Sequence, residues 1–207
     1  MRTVVSLRDV LSAQGGLVHH DQLVRLGVTR MALRRRLDSG RLREVLPSVY
    51  ASFDCRPSSW QRSIAAWLYA GRGAVLTGRV ALRWHGVRNL PADPYVRVLV
   101  PHARQVRSVE FVRVHRTRRP DPFPANAAPI RVCSLGRAVA DAARWSRDLP
   151  MIRALVGEVV QGLGVEPLRR ELALGPCAGS GLLRLALDEV APAPAGALEQ
   201  YRSDRLG

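Results

Sequence analysis

The chain has 207 residues, with 32 basic side chains against 17 acidic ones and a formal net charge of +15. Every basic residue is Arg; Lys is absent. Hydrophobic residues make up 47% of the total, enough for a packed core and too many for a disordered chain. No apolar run reaches the ~18–20 residues that span a bilayer. Arg8 and Asp9 interrupt the start of the chain, where a signal peptide needs an apolar centre.

Arg in place of Lys fits the codon bias of a GC-rich genome. The excess of bases over acids has no such origin, and it favours a polyanionic partner, most often nucleic acid. It is also unevenly spread. Residues 1–50 hold 9 Arg against 4 acids, residues 51–130 hold 13 against 4, and residues 131–207 hold 10 against 9. The polyanion-facing part is therefore the first two-thirds. Cys55, Cys133 and Cys177 are odd in number, far apart and form no CxxC pair, which points to reduced thiols and a cytoplasmic protein.

The spacing of Val4, Leu7, Val10 and Leu11 predicts a helix over 4–13, stopped by Gly15-Gly16. A second short helix is expected over 20–26, closed by Gly27. Thr29 can cap a third over 30–39, ending at Gly40. Residues 42–45 and 49–52, separated by Leu46-Pro47-Ser48, read as a hairpin with the proline in its turn. Three helices and a hairpin in this order are a winged helix-turn-helix over residues 1–53.

Residues 54–59 read as a linker, with Ser59 capping a helix over 60–70 on which Trp60, Ile64, Trp67 and Leu68 share a face. A helix is expected over 79–86, strands over 95–100 and 109–115, an exposed basic loop over 116–122, and a short strand over 130–132. Helices follow over 135–145 (capped by Ser134), 149–162, 166–173 and 180–190; the proline-rich stretch 191–195 then opens a tail, 191–207. The fold class is α+β: a winged helix followed by a mixed α/β domain, residues 59–190, with a small sheet and a helical C-terminal part.

In a winged helix the third helix enters the major groove and the hairpin meets the flanking backbone. On a wheel of about 100° per residue, Leu33 and Leu37 define the buried stripe. Arg34 and Arg35 point away from it with Met31 between them, and Arg30 and Arg36 flank it. Arg suits such a surface because its planar fork grips a phosphate, or the O6/N7 edge of guanine, with two hydrogen bonds. Arg41 and Arg43 stand at the entry to the hairpin. The candidate DNA-contacting set is therefore Thr29, Arg30, Met31, Arg34, Arg35, Arg36, Arg41 and Arg43. A second basic surface is expected from Arg104, Arg107, Arg116, Arg118 and Arg119.

Other chemistry finds little support. His19 and His20 are adjacent and so point apart; His85 reads as a satisfied half-buried histidine, and His102 and His115 as strand-end residues. Gly71-Arg72-Gly73-Ala74 lacks the order of a phosphate loop, and the cysteines have no catalytic neighbours. Asp141 is placed to pair with Arg137 or Arg144. The four tryptophans at 60, 67, 84 and 145 have the helical spacing of core residues. No metal, cofactor or catalytic activity is expected.

Residues 11–52, from Leu11-Ser12-Ala13-Gln14-Gly15-Gly16-Leu17-Val18 through Gly40-Arg41-Leu42-Arg43-Glu44-Val45-Leu46-Pro47-Ser48-Val49-Tyr50-Ala51, resemble the N-terminal domain of AbiEi-type antitoxins. Residues 74–87 and 132–141 resemble the continuation of actinobacterial proteins that carry it. The resemblance covers roughly residues 1–190. It implies an operator-binding autorepressor half and an antitoxicity half, the latter opposing a separately encoded nucleotidyltransferase toxin of a type IV toxin–antitoxin system without a stable complex. The sequence departs from the family in two ways. Ser48 stands where the wing usually has Gly, which strains a backbone of positive φ. Many relatives also continue into a nuclease domain of the very-short-patch-repair type; Glu199 echoes its first acid, but the metal-binding carboxylates and lysine that should follow are missing. A degenerate nuclease keeping only its DNA-targeting domains, and a regulator with a small-molecule-sensing second domain, are the alternatives.

Overall fold

The computed structural model describes residues 6–121, 124–127 and 129–190. The first half of the predicted helix at Val4 and Val5, and the tail 191–207 with Glu199, lie outside them. The chain divides into two compact units between Ser134 and Leu135.

The first unit opens with α1 (Leu7–Ala13), β1 (Leu17–His19), α2 (His20–Arg25), α3 (Arg30–Asp38), β2 (Arg43–Leu46) and β3 (Val49–Ala51). Local chemistry sets each boundary. Ser6 and Asp9 form a reciprocal capping box on α1, and His19 with Gln22 does the same on α2. Thr29 Oγ1 accepts from the Ala32 N–H at 3.2 Å, so the predicted cap of α3 is in place. Gly27 and Gly40 take positive φ at the ends of α2 and α3. β3 is the centre of an antiparallel sheet of order β1-β3-β2, with Leu17 opposite Ala51 on one side and Arg43 opposite Ala51 on the other. β1 is absent from the sequence reading: at three residues it is too short for its alternation to register. Val18, Leu23, Leu33, Leu42 and Tyr50 form the core, with Leu7, Val10, Leu11, Val28 and Leu37 packed around it.

The hairpin turn is Pro47-Ser48, and Ser48 sits at φ 63°. Proline at the first central position holds φ at about −65°, so the positive φ falls on the second, where a turn of this kind favours Gly. The serine accepts the strain, and its N–H donates to Glu44 Oε1 at 2.8 Å. Ser48→Gly relieves a left-handed Cβ clash of ~1–2 kcal/mol while adding roughly 0.5–1 kcal/mol of unfolded-state entropy. A net stabilisation of up to about 1 kcal/mol is expected, read as a raised urea midpoint at unchanged slope; a lowered midpoint contradicts it.

The expected linker at 54–59 falls inside the first unit. Its helix, α4 (Ser59–Ala70), packs against β1, β2 and β3 and equally against the larger sheet, so it ties the two sheets together. Its cap is Ser58 rather than Ser59, because Gln61 stands at the position that completes a capping box with Ser58. The larger sheet has the order β6-β5-β4-β8-β7, from β4 (Val75–Thr77), β5 (Val96–Pro101), β6 (Val112–Thr117), β7 (Ala125–Ala127) and β8 (Ile130–Val132). The short β4 and β7 are not apparent in the sequence. α5 (Gly78–Trp84) follows β4 directly. β5 and β6 run parallel, from Val96 opposite Val112 to Pro101 opposite Thr117. Arg116 and Thr117, expected in a loop, therefore complete β6. The connection between these strands is pinned to α4 by the Tyr69 hydroxyl, which donates to the Arg107 carbonyl at 2.9 Å.

The second unit holds α6 (Leu135–Arg144), α7 (Leu149–Leu163), α8 (Glu166–Leu174) and α9 (Gly181–Val190). α6 packs against the other three, and α7 lies along α9. Arg153 of α7 grips Glu189 of α9 with two hydrogen bonds, Nε to Oε2 at 2.7 Å and Nη2 to Oε1 at 2.5 Å.

Candidate nucleic-acid interface

α3 separates its two faces as its sequence dictates. Leu33 is buried and Leu37 half-buried in the winged-helix core. Met31, Arg34 and Arg35, turned away from that stripe, are exposed, as are the cap Thr29 and the flanking Arg30; Met31 is 67% accessible and the Arg34 side chain 78%. An exposed methionine amid arginines has no folding role, and it offers an apolar tip of the kind that meets thymine methyl groups.

The arginines differ in how free they are. Arg30, Arg35 and Arg41 are exposed, and their side chains make no hydrogen bond or ion pair among the described residues. Arg34 donates through Nε to Asp38 Oδ1 at 3.1 Å, an exposed pair one turn apart. Arg36 is half-buried, its Nη1 donating to the Ala32 carbonyl at 3.1 Å. Arg43 is committed elsewhere. Its Nε donates to the Phe53 carbonyl at 2.7 Å, its Nη2 to the Cys55 carbonyl, and its guanidinium lies 5.6 Å from the Phe53 ring centre. It secures the exit from β3 and leaves Arg41 as the unengaged arginine at the wing entry.

The second predicted surface divides. Arg116 and Arg118 are exposed at the end of the edge strand β6, with Arg118 Nη2 3.5 Å from His102 Nε2. Arg107 is exposed, whereas Arg119 is half-buried and engaged. Arg104 donates through Nη2 to the Ala70 carbonyl at 3.1 Å and lines a groove of about 590 Å³ together with Arg25, Arg72 and Arg131. None of those last three is in the predicted DNA-contacting sets, and Arg72 stands in the segment set aside as a phosphate loop. They lie on α2, on the loop after α4 and on β8, and no local pattern links them.

His19 borders the same groove. Burial pushes its pKa down; the Asp21 carboxylate opposes this, while the charges of His20 and Arg25 add to it. A neutral imidazole suits its place, since Nδ1 accepts from the Asp21 N–H at 3.1 Å.

A smaller pocket of about 320 Å³ is lined by Trp60, Trp84 and Tyr95 with Arg62, Arg83 and Asp93. Its charged groups are turned to the fold: Arg62 to the Pro94 carbonyl, Arg83 to the Leu90 and Pro91 carbonyls, Asp93 to Arg97. His85 Nε2 lies 2.7 Å from the Cys133 carbonyl, the half-buried satisfied histidine that the sequence predicts. Among the described residues no three His, Cys, Asp or Glu side chains gather where they could hold a metal ion, and no helix is long and apolar enough to cross a membrane.

Among solved structures the crystal structure of the RV2827C protein from Mycobacterium tuberculosis is similar, with a TM-score of 0.58 and 16% identity, covering 92% of this chain and 77% of that one. At that identity the likeness is one of fold. No curated protein matches the chain. Residues 6–52 match the family model described as transcriptional regulator, AbiEi antitoxin. Residues 6–52, which carry the winged helix, are thus similar to a family of transcriptional regulators, the AbiEi antitoxins.

Proposed function

We propose that the chain is a sequence-specific double-stranded DNA-binding protein that represses its own operon and serves as the antitoxin of a type IV toxin–antitoxin system. Residues 1–53 read the operator. Residues 59–190 oppose a nucleotidyltransferase toxin, without a stable complex between the two. The protein acts in the cytoplasm, where its DNA lies, and it performs no catalysis. One observation carries the DNA-binding part: α3 buries Leu33 and Leu37 while it exposes Arg30, Met31, Arg34 and Arg35 beside the hairpin. The antitoxin part is supported by the family of residues 6–52.

The test is gel-shift binding to the DNA upstream of its own gene across a salt series. Neutralising about 5–8 phosphates gives log K against log salt a slope of about −5 to −7. Binding to this duplex is expected to exceed binding to a scrambled one by a factor of at least ~10³. Equal affinity for both overturns the repressor reading. For the antitoxin part, co-expression restores growth of cells making the neighbouring nucleotidyltransferase; continued arrest overturns it.

A further inference from the structure

Resting on the DNA-binding reading, we infer that the groove bordered by α2, the loop after α4 and β8 is a second phosphate-binding site, which takes the backbone of the duplex alongside the α3 contact. Four guanidiniums line it, those of Arg25, Arg72, Arg104 and Arg131. The acid among the lining residues is Asp21, which lies between two histidine nitrogens, 3.6 Å from His19 Nδ1 and 3.8 Å from His20 Nδ1. Arg104 is tied to the Ala70 carbonyl, whereas the side chains of Arg25, Arg72 and Arg131 make no hydrogen bond or ion pair among the described residues.

Folding gathers four guanidiniums from four separate elements into one groove, and the Asp21 carboxylate among the lining residues offsets a single charge, which leaves the groove net positive. Phosphate is the anion that suits them, since the arginine fork matches its oxygens with two parallel hydrogen bonds.

The position of the groove selects duplex backbone over a free ion. α2, which supplies Arg25, is the helix that precedes the recognition helix, and in helix-turn-helix proteins that element crosses the DNA backbone. Arg72 and Arg131 extend the line of charge from α2 onto the larger sheet of the same unit. A duplex seated on α3 can thereby be held by the second sheet as well.

The experiment compares the full chain with Arg72→Gln/Arg131→Gln and Arg72→Lys/Arg131→Lys on the upstream duplex and on a scrambled one, across a sodium chloride series. All four substitutions are at exposed positions. The Gln pair is expected to flatten the slope of log K against log salt by about 2, one unit per lost phosphate contact. It should weaken both duplexes by the same factor, about tenfold or more near 0.1 M salt, and leave the preference between them intact. The Lys pair restores the slope. An unchanged slope in the Gln pair overturns the inference. So does displacement of DNA by inorganic phosphate beyond the effect of chloride at equal ionic strength in the parent but not in the Gln pair, because the groove then serves a free anion. Loss of the preference for the upstream duplex in the parent chain, with the slope difference retained, overturns the repressor reading and leaves the groove standing. A parent chain that binds no duplex overturns both.

Discussion

Replacing Arg34 and Arg35 together by Ala is expected to weaken binding to the upstream duplex by about 2–4 kcal/mol and to blur its preference over a scrambled duplex. Both side chains are exposed on the face of α3 opposite Leu33 and Leu37, so truncation leaves the winged-helix core untouched. Alanine is also the stronger helix former, and α3 itself loses nothing. The two arginines are unequal. Arg34 has to give up its exposed ion pair with Asp38, worth no more than about 1 kcal/mol, before it grips DNA, whereas Arg35 has nothing to release. Arg35→Ala alone is therefore expected to cost more than Arg34→Ala. Arg41, at the wing, holds backbone; its loss lowers affinity for all sequences alike. A gel shift on the two duplexes, with far-ultraviolet circular dichroism as a check on folding, reads every arm. Unchanged affinity in the double variant refutes the orientation assigned to α3.

What the sequence made legible follows from the range over which its patterns act. α3 is read correctly because all its determinants are local: Thr29 caps it, Leu33 and Leu37 set its buried stripe, and Gly40 ends it. The strain at Ser48 is equally local, a residue with a Cβ standing where the turn needs positive φ. β1, β4 and β7 escape notice because nothing in their own residues marks them: β1 and β4 exist through pairing with distant partners, Leu17 with Ala51 and Val75 with Leu99, and β7 through the neighbouring β8, Ala125 with Val132. The same limit governs the site. Runs of Arg on one helix are visible, while Arg25, Arg72, Arg104 and Arg131 meet only once the chain is folded. Arg43 shows the converse error of proximity: next to the wing in sequence, it is occupied by carbonyls ten and twelve residues downstream.

Asp141→Ala is expected to destabilise the second unit by about 3–5 kcal/mol, a large fraction of the 5–15 kcal/mol typical of a whole domain. α6 has no solvent side over Gly136–Ala143: every residue there is buried, and most are Ala or Val. Charges on such a helix have to neutralise one another. Asp141 stands one turn after Arg137 and one turn before Arg144, and its carboxylate takes both, Oδ2 from Arg137 Nε and Oδ1 from Arg144 Nη1, each at 2.8 Å. Its side chain is 1% exposed, that of Arg137 7% and that of Arg144 21%. Removing the acid takes the shared carboxylate from two guanidiniums; Arg144 is 21% exposed and keeps an acceptor in the Ala178 carbonyl at 3.3 Å, whereas Arg137 is 7% exposed. The penalty is therefore chiefly that of the buried Arg137 charge once its carboxylate is gone. It follows that Arg137→Met combined with Asp141→Leu regains most of the loss, because a well-packed apolar pair can replace a buried ion pair at little cost. Amide hydrogen exchange over α6 to α9 measures both variants. The ordering is the diagnostic: if the double variant is as unstable as Asp141→Ala, the cost lies in the shape of the cavity and not in the buried charge.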